Sequence, residues 1–199
     1  MTTDRPIILL HGLGSRPITM LPLLLYLKYW GGYKNIHNIK YEINTLQFDE
    51  ALDKLDSRLI TILDKGKDKP IVIGQSMGGL MANSLHKKGW SIHKSICIGS
   101  PLHGARILNY LHERLPTFIT KRLQRKSYDY LMNKERDECP PHECHTISMS
   151  WPFLNFDGCV FTDETKLTDD NHTHIKWADH RTVFASPRLW KVVLNKVTC

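Results

Sequence analysis

The stretch Pro70-Ile71-Val72-Ile73-Gly74-Gln75-Ser76-Met77-Gly78-Gly79-Leu80 decides the reading of this chain. Its β-branched apolar run reads as a buried strand. Leu80 to His86, immediately after it, has helical periodicity. Between the two lies Gly-x-Ser-x-Gly with an extra glycine. Strand, Gly-x-Ser-x-Gly and helix together make a nucleophile elbow, a turn so sharp that the serine takes strained backbone geometry and its neighbours must lack side chains. Ser76 is then expected at the carboxyl edge of a sheet, with the positive end of a helix behind it.

Working outward, apolar runs alternate with amphipathic stretches. Ile7 to Leu10 reads as a central strand that stops at His11-Gly12-Leu13-Gly14. Pro17 to Trp30 carries a helical stripe of leucines, ended by Gly31-Gly32. Residues 36 to 43 read as a second strand and 49 to 64 as an amphipathic helix. Ser95 to Gly99 reads as the fourth strand, 145 to 149 as a fifth and 174 to 177 as a sixth. Pro187 to Val197 reads as a closing helix with proline at its start. This alternation predicts an α/β fold: a compact, about six-stranded, mostly parallel sheet with helices on both faces. In such sheets the site lies at the carboxyl ends of the strands.

Composition sets bounds. The chain has 199 residues, 41% hydrophobic and 24% charged, which fits one globular domain over residues 1 to 199. The net charge of +7 favours anionic partners. No basic run is interleaved with aromatics, so nucleic acid is not an expected partner. Five cysteines without regular spacing exclude a full disulfide framework. With no signal peptide or membrane-length apolar run in view, a cytoplasmic location is expected.

A serine hydroxyl needs a base to take its proton, and the base needs an orienting carboxylate. On an elbow fold the chain order should be serine, acid, histidine. Asp157 lies in a turn just past the fifth strand, with Gly158 after it. His180 lies just past the sixth. Asp163 and Glu164 compete for the acid role, and His172 and His174 for the base. Position favours Asp157 and His180. The oxyanion of a tetrahedral intermediate needs backbone donors. The Met77 N–H follows the nucleophile, and the loop after the first strand offers the Leu13 N–H.

These pieces resemble a family. His-Gly-x-Gly at 11 to 14, the elbow at 74 to 78, Gly99-Ser100-Pro101-Leu102-His103-Gly104, and Asp157-Gly158-x-Val160 followed by His180 are similar to motifs of small lipase/esterase-type α/β-hydrolases, the bacterial lipase-like serine esterases. The resemblance supports the Asp157 and His180 assignments. It implies cleavage of a small-molecule or lipid ester through an acyl-enzyme, with no cofactor and no metal. The same triad would also serve an acyltransferase or thioesterase, and the fold alone could serve a non-catalytic binding module. Arg181-Thr182-Val183 and Cys159 depart from the usual pattern, which bears on substrate preference.

Residues 104 to 137 form the one long excursion. Counted from residue 103, the stretch has eight Lys/Arg against four Asp/Glu. Leu108, Leu111 and Leu115 recur at helical spacing. A short helical cap is expected here, with those leucines as acyl-chain contacts and the basic end, Lys121 to Lys126, in weak contact with an anionic membrane surface. Cys139 to His145 crowds four potential ligands into seven residues. Zinc sites draw ligand pairs from separated segments, so no metal is expected there.

Overall fold

The computed structural model describes residues 5–107, 110, 130 and 140–198. Six strands form one sheet: β1 (Ile7–Leu10), β2 (Ile36–Ile39), β3 (Ile71–Gln75), β4 (Lys94–Ile98), β5 (Glu143–Ser150) and β6 (His172–Lys176). The order across the sheet is β2-β1-β3-β4-β5-β6, and every neighbouring pair is parallel. The chain starts at β1, steps outward to β2, then crosses back and builds the rest on the other side. The strand order thus reverses between β1 and β3, and the loops leaving these two strands diverge to leave a crevice.

Strand residues alternate between the two faces, and the helices follow. Ile8, Leu10, Val72 and Cys97 pack with α2 (Phe48–Ile60) and α3 (Met77–Ser84). Ile7, Leu9, Ile71, Ile73, Ile96 and Ile98 pack with α1 (Leu21–Tyr29) and α5 (Pro187–Thr198). A short helix α4 (Thr162–Thr165) lies in the β5–β6 connection. Among the described residues no helix is long and apolar enough to cross a membrane.

Several boundaries differ from the sequence expectation, each for a local reason. The first helical stretch is a tight turn over Pro17–Met20, and only then the α-helix from Leu21. Pro22 lacks an N–H and its ring would collide with the carbonyl four residues back, so it fits the first turn of an α-helix and not its interior. β2 stops at Ile39, opposite the end of β1 at Leu10. Tyr41 then turns inward and donates its hydroxyl to the His11 carbonyl at 2.5 Å. β5 is longer than expected because β4 pairs with residues 143–147 and β6 with residues 146–150. α2 ends at Ile60 rather than Asp64. Of the expected cap, only residues 104–107, 110 and 130 are described. Leu108, Leu111, Leu115 and the basic residues 121–126 lie outside the described residues. Tyr130 stacks on Phe48 at the start of α2, ring centroids 3.8 Å apart.

β5 and β6 share a polar face. His172 bonds Thr146 Oγ1 and Ser148 Oγ through its two ring nitrogens, at 2.7 and 2.9 Å. His174 bonds Ser148 Oγ and Ser150 Oγ at 2.8 and 3.0 Å. Both competitors of His180 are therefore held in a strand-to-strand ladder. Burial pushes His172 down to about 4, with Lys166 and His174 adding to the effect. Burial also pushes His142, which bonds Ser95 Oγ, down to about 4. Folding thus holds both rings neutral, whereas the unfolded chain takes up protons near pH 6.5. Their contribution is complete above about pH 6.5 and is lost as pH falls toward 4. The melting temperature should fall over that window, and His172→Gln should make the fall shallower. A variant whose slope matches the wild type would contradict this assignment.

Candidate active site

Ser76 sits between β3 and α3 with φ 51° and ψ −122°. A non-glycine residue in this region costs about 1–3 kcal/mol and persists only where its surroundings enforce it. Here they do. The Ser76 N–H donates to the Ile98 carbonyl at 2.8 Å, and the Ser76 carbonyl accepts the Gly79 N–H at 3.0 Å. A Cβ on Gly74 would overlap the Gly78 carbonyl, one on Gly78 would overlap the Leu10 carbonyl, and one on Gly79 would overlap Ser100 Oγ. None of these three glycines has positive φ. They are needed for close approach, which brings the start of α3 against the end of β1. Ser76 itself is half-buried.

Asp157 and His180 lie in the loops past β5 and β6, and both are buried. The His180 Nδ1–H donates to Asp157 Oδ2 at 2.7 Å. Asp157 Oδ1 accepts the N–H groups of Cys159 and Val160 at 2.9 and 2.8 Å. Three donors thus meet a carboxylate that would otherwise be costly to bury. The His180 N–H also donates to the Asp157 carbonyl at 2.9 Å. With Nδ1 protonated toward Asp157, Nε2 carries the free lone pair, the tautomer a general base requires. Gly99 packs against the pair: a Cβ there would stand 3.2 Å from both Asp157 Oδ2 and His180 Nδ1.

One residue that the sequence reading passed over joins these parts. Gln75 immediately precedes Ser76 and is buried. Its Oε1 accepts the Gly12 N–H at 3.2 Å, and its Nε2 donates to the His180 carbonyl at 3.1 Å. One amide therefore ties the loop after β1 and the loop after β6 to the elbow. The available signal was an amide side chain at the end of a buried strand, where it must find partners. The Gly12–Leu13 turn comes close to the serine, since a Cβ on Gly12 would be 3.0 Å from Ser76 Cβ. Neither the Leu13 nor the Met77 N–H has a protein acceptor among the described residues. Among the same residues no hydrogen bond joins Ser76 Oγ to His180; such bonds often tighten only when substrate binds.

The rival acids are engaged elsewhere. Asp163 pairs with Arg106 Nη2 at 2.6 Å. Glu164 is buried, accepts the Arg106 backbone N–H at 2.6 Å and the Phe161 N–H at 2.8 Å, and so caps α4. A hollow of about 480 Å³ between His103, Arg106, Lys166 and Asp169 does not include Ser76, Asp157 or His180. Burial, and next the Asp157 charge, raise the Cys159 thiol. Cys144 and His145 lie on β5, and among the described residues no group of three potential ligands could hold a metal.

No family model matches the sequence, and no curated protein matches it. Solved structures do match by shape. Bacillus licheniformis lipase BlEst2 in its mature form has a TM-score of 0.69 at 16% identity, covering 97% of this chain and 91% of that one. The chain spans about half, 51%, of the propeptide form of the same lipase. The N-acyl homoserine lactonase AidH has a TM-score of 0.67 at 12% identity, covering 99% and 89%. Tomato methylketone synthase I has a TM-score of 0.66 at 12% identity, covering 98% of each. At these identities the likeness shows the fold: this is the α/β-hydrolase fold.

Gln75→Leu keeps the volume and removes both clamp bonds, leaving the Gly12 N–H and the His180 carbonyl buried without partners. A loss of about 2 kcal/mol is expected. For a chain of this length that is a fall of roughly 4–8 °C in melting temperature. Gln75→Glu, which buries a carboxylate and turns an acceptor toward the His180 carbonyl, should fall at least as far. A Leu variant as stable as the wild type would show that the clamp carries no weight.

Proposed function

We propose that this protein is a serine hydrolase that cleaves carboxylic esters through an acyl-enzyme. The observation that carries the reading is the buried His180–Asp157 pair, tied to Gln75, the residue before a strained, half-buried Ser76. The lipase and lactonase among the structural neighbours support it at the level of fold, and a lactone is itself an internal ester.

In this mechanism Ser76 Oγ attacks the ester carbonyl while His180 Nε2 takes its proton. The Asp157 carboxylate holds the ring and stabilises the imidazolium. The oxyanion is received by the Leu13 and Met77 N–H groups. Collapse expels the alcohol, which leaves with the proton from His180. Water then repeats the sequence on the acyl-enzyme, giving the free acid and restoring Ser76. No step calls on a further group.

The test is hydrolysis of a panel of acyl esters, lactones, thioesters and amides. Esters or lactones should turn over fastest. Ser76→Ala should abolish turnover, a loss of about 10⁶-fold if the residue acts as nucleophile. Asp157→Asn should retain the fold and lose roughly 10⁴-fold, because the ring would be held in the wrong tautomer. If Asp163→Ala or Glu164→Ala is the crippling change instead, the acid is misassigned. A folded wild type inert to the whole panel would contradict the reading.

A further inference from the structure

The loops that carry Asp157 and His180 also carry the most exposed apolar side chains near the site. Phe153 is 95% exposed, Trp177 70%, Leu154 57% and Trp151 53%. Trp151, Phe153 and Leu154 follow β5 directly, and Trp177 follows β6. The two loops are pinned together, because the Trp177 and Ala178 N–H groups both donate to the Ser150 carbonyl, at 2.9 and 3.3 Å. Trp177 is held there with φ 64°, one of two non-glycine residues with positive φ among those described. A small hollow of about 170 Å³ is lined by Trp151, Pro152, Trp177, Ala178 and Asp179. The result is an apolar rim at the carboxyl edge of the sheet, fixed by backbone bonds, with its tip exposed among the described residues.

Basic side chains outnumber acidic ones beside Trp177. Lys176 and Arg181 are exposed on either side of Trp177. Of the acids near Trp177, Asp179 is half-buried at the hollow and held by its own loop. Asp157 is buried against His180. Asp179 Oδ1 accepts the Arg181 and Thr182 N–H groups, and Oδ2 the Thr182 hydroxyl.

We infer that this rim, formed by Trp151, Phe153, Leu154 and Trp177, docks the protein on an anionic lipid bilayer. Tryptophan favours the headgroup boundary, where its ring is buried and its N–H stays wet, and phenylalanine and leucine enter the acyl region below. Lys176 and Arg181 then meet anionic headgroups, an attraction that agrees with the net charge of +7. A protein partner fits less well. A side chain standing as clear as Phe153 needs a matching pocket in a protein but none in a fluid bilayer. The inference rests on the hydrolase reading only for what the bilayer supplies, an acyl ester delivered to the edge where Ser76 lies.

The experiment is co-sedimentation of the full chain with vesicles of mixed phosphatidylcholine and phosphatidylglycerol, against vesicles of phosphatidylcholine alone. It reads binding without turnover, so it can fail while the hydrolase reading stands, and the reverse. The wild type should bind the mixed vesicles more tightly, and less so in high salt. Phe153→Ser with Leu154→Ser should lower partitioning roughly tenfold or more. Both positions are exposed, so the melting temperature should not change. Four results would overturn the inference. The wild type might fail to sediment with the mixed vesicles, or the variant might bind as the wild type does. The wild type could be a dimer that the variant disperses, which would assign the rim to a second copy. A variant less stable by several degrees would mean that the rim is covered by its own chain.

Discussion

The structure depends on one backbone constraint, the conformation of Ser76. A residue with an L side chain is held at φ 51° because the turn from β3 into α3 has no room for a relaxed one. The start of α3 is pressed against the end of β1 through Gly78 and against Ser100 through Gly79, while Gly74 lets the helix start pass over the strand. The cost, about 1–3 kcal/mol, is small beside the burial of the two apolar layers that flank the sheet. In exchange the side chain that follows the strand is held at the crevice between β1 and β3, half-buried.

The second requirement is to keep polar groups in a dry place without orphaning them. Asp157 is met by two backbone donors and one ring donor. Gln75 is used at both ends. Away from the site, His172 and His174 use all four ring nitrogens on the hydroxyls of β5. His145 pairs with the exposed carboxylate of Glu143, whereas His180 meets the buried carboxylate of Asp157.

Much of this was legible in sequence. The β-branched runs of β1, β3 and β4 stand out because both faces of those strands are buried, and Gly-x-Ser-x-Gly announces the turn that follows β3. Asp157 and His180 could be picked because each follows a strand end. The parts that were not legible have physical reasons. β5 and β6 are polar on one face, so Thr146, Ser148, His172 and His174 blurred their limits. Pro22 moved a helix start that the leucine stripe alone would place earlier. The Gln75 clamp joins residues 63 and 105 positions apart, and no local pattern announces such contacts.

The central claim is that Ser76 is an activated nucleophile rather than a residue in a tight turn. It is tested most directly by treating the folded protein with a fluorophosphonate and mapping the adduct by peptide mass spectrometry. The account predicts one phosphonylated residue, Ser76. Labelling should be lost in His180→Ala. A folded protein that stays unlabelled, or one labelled at another serine, would contradict it.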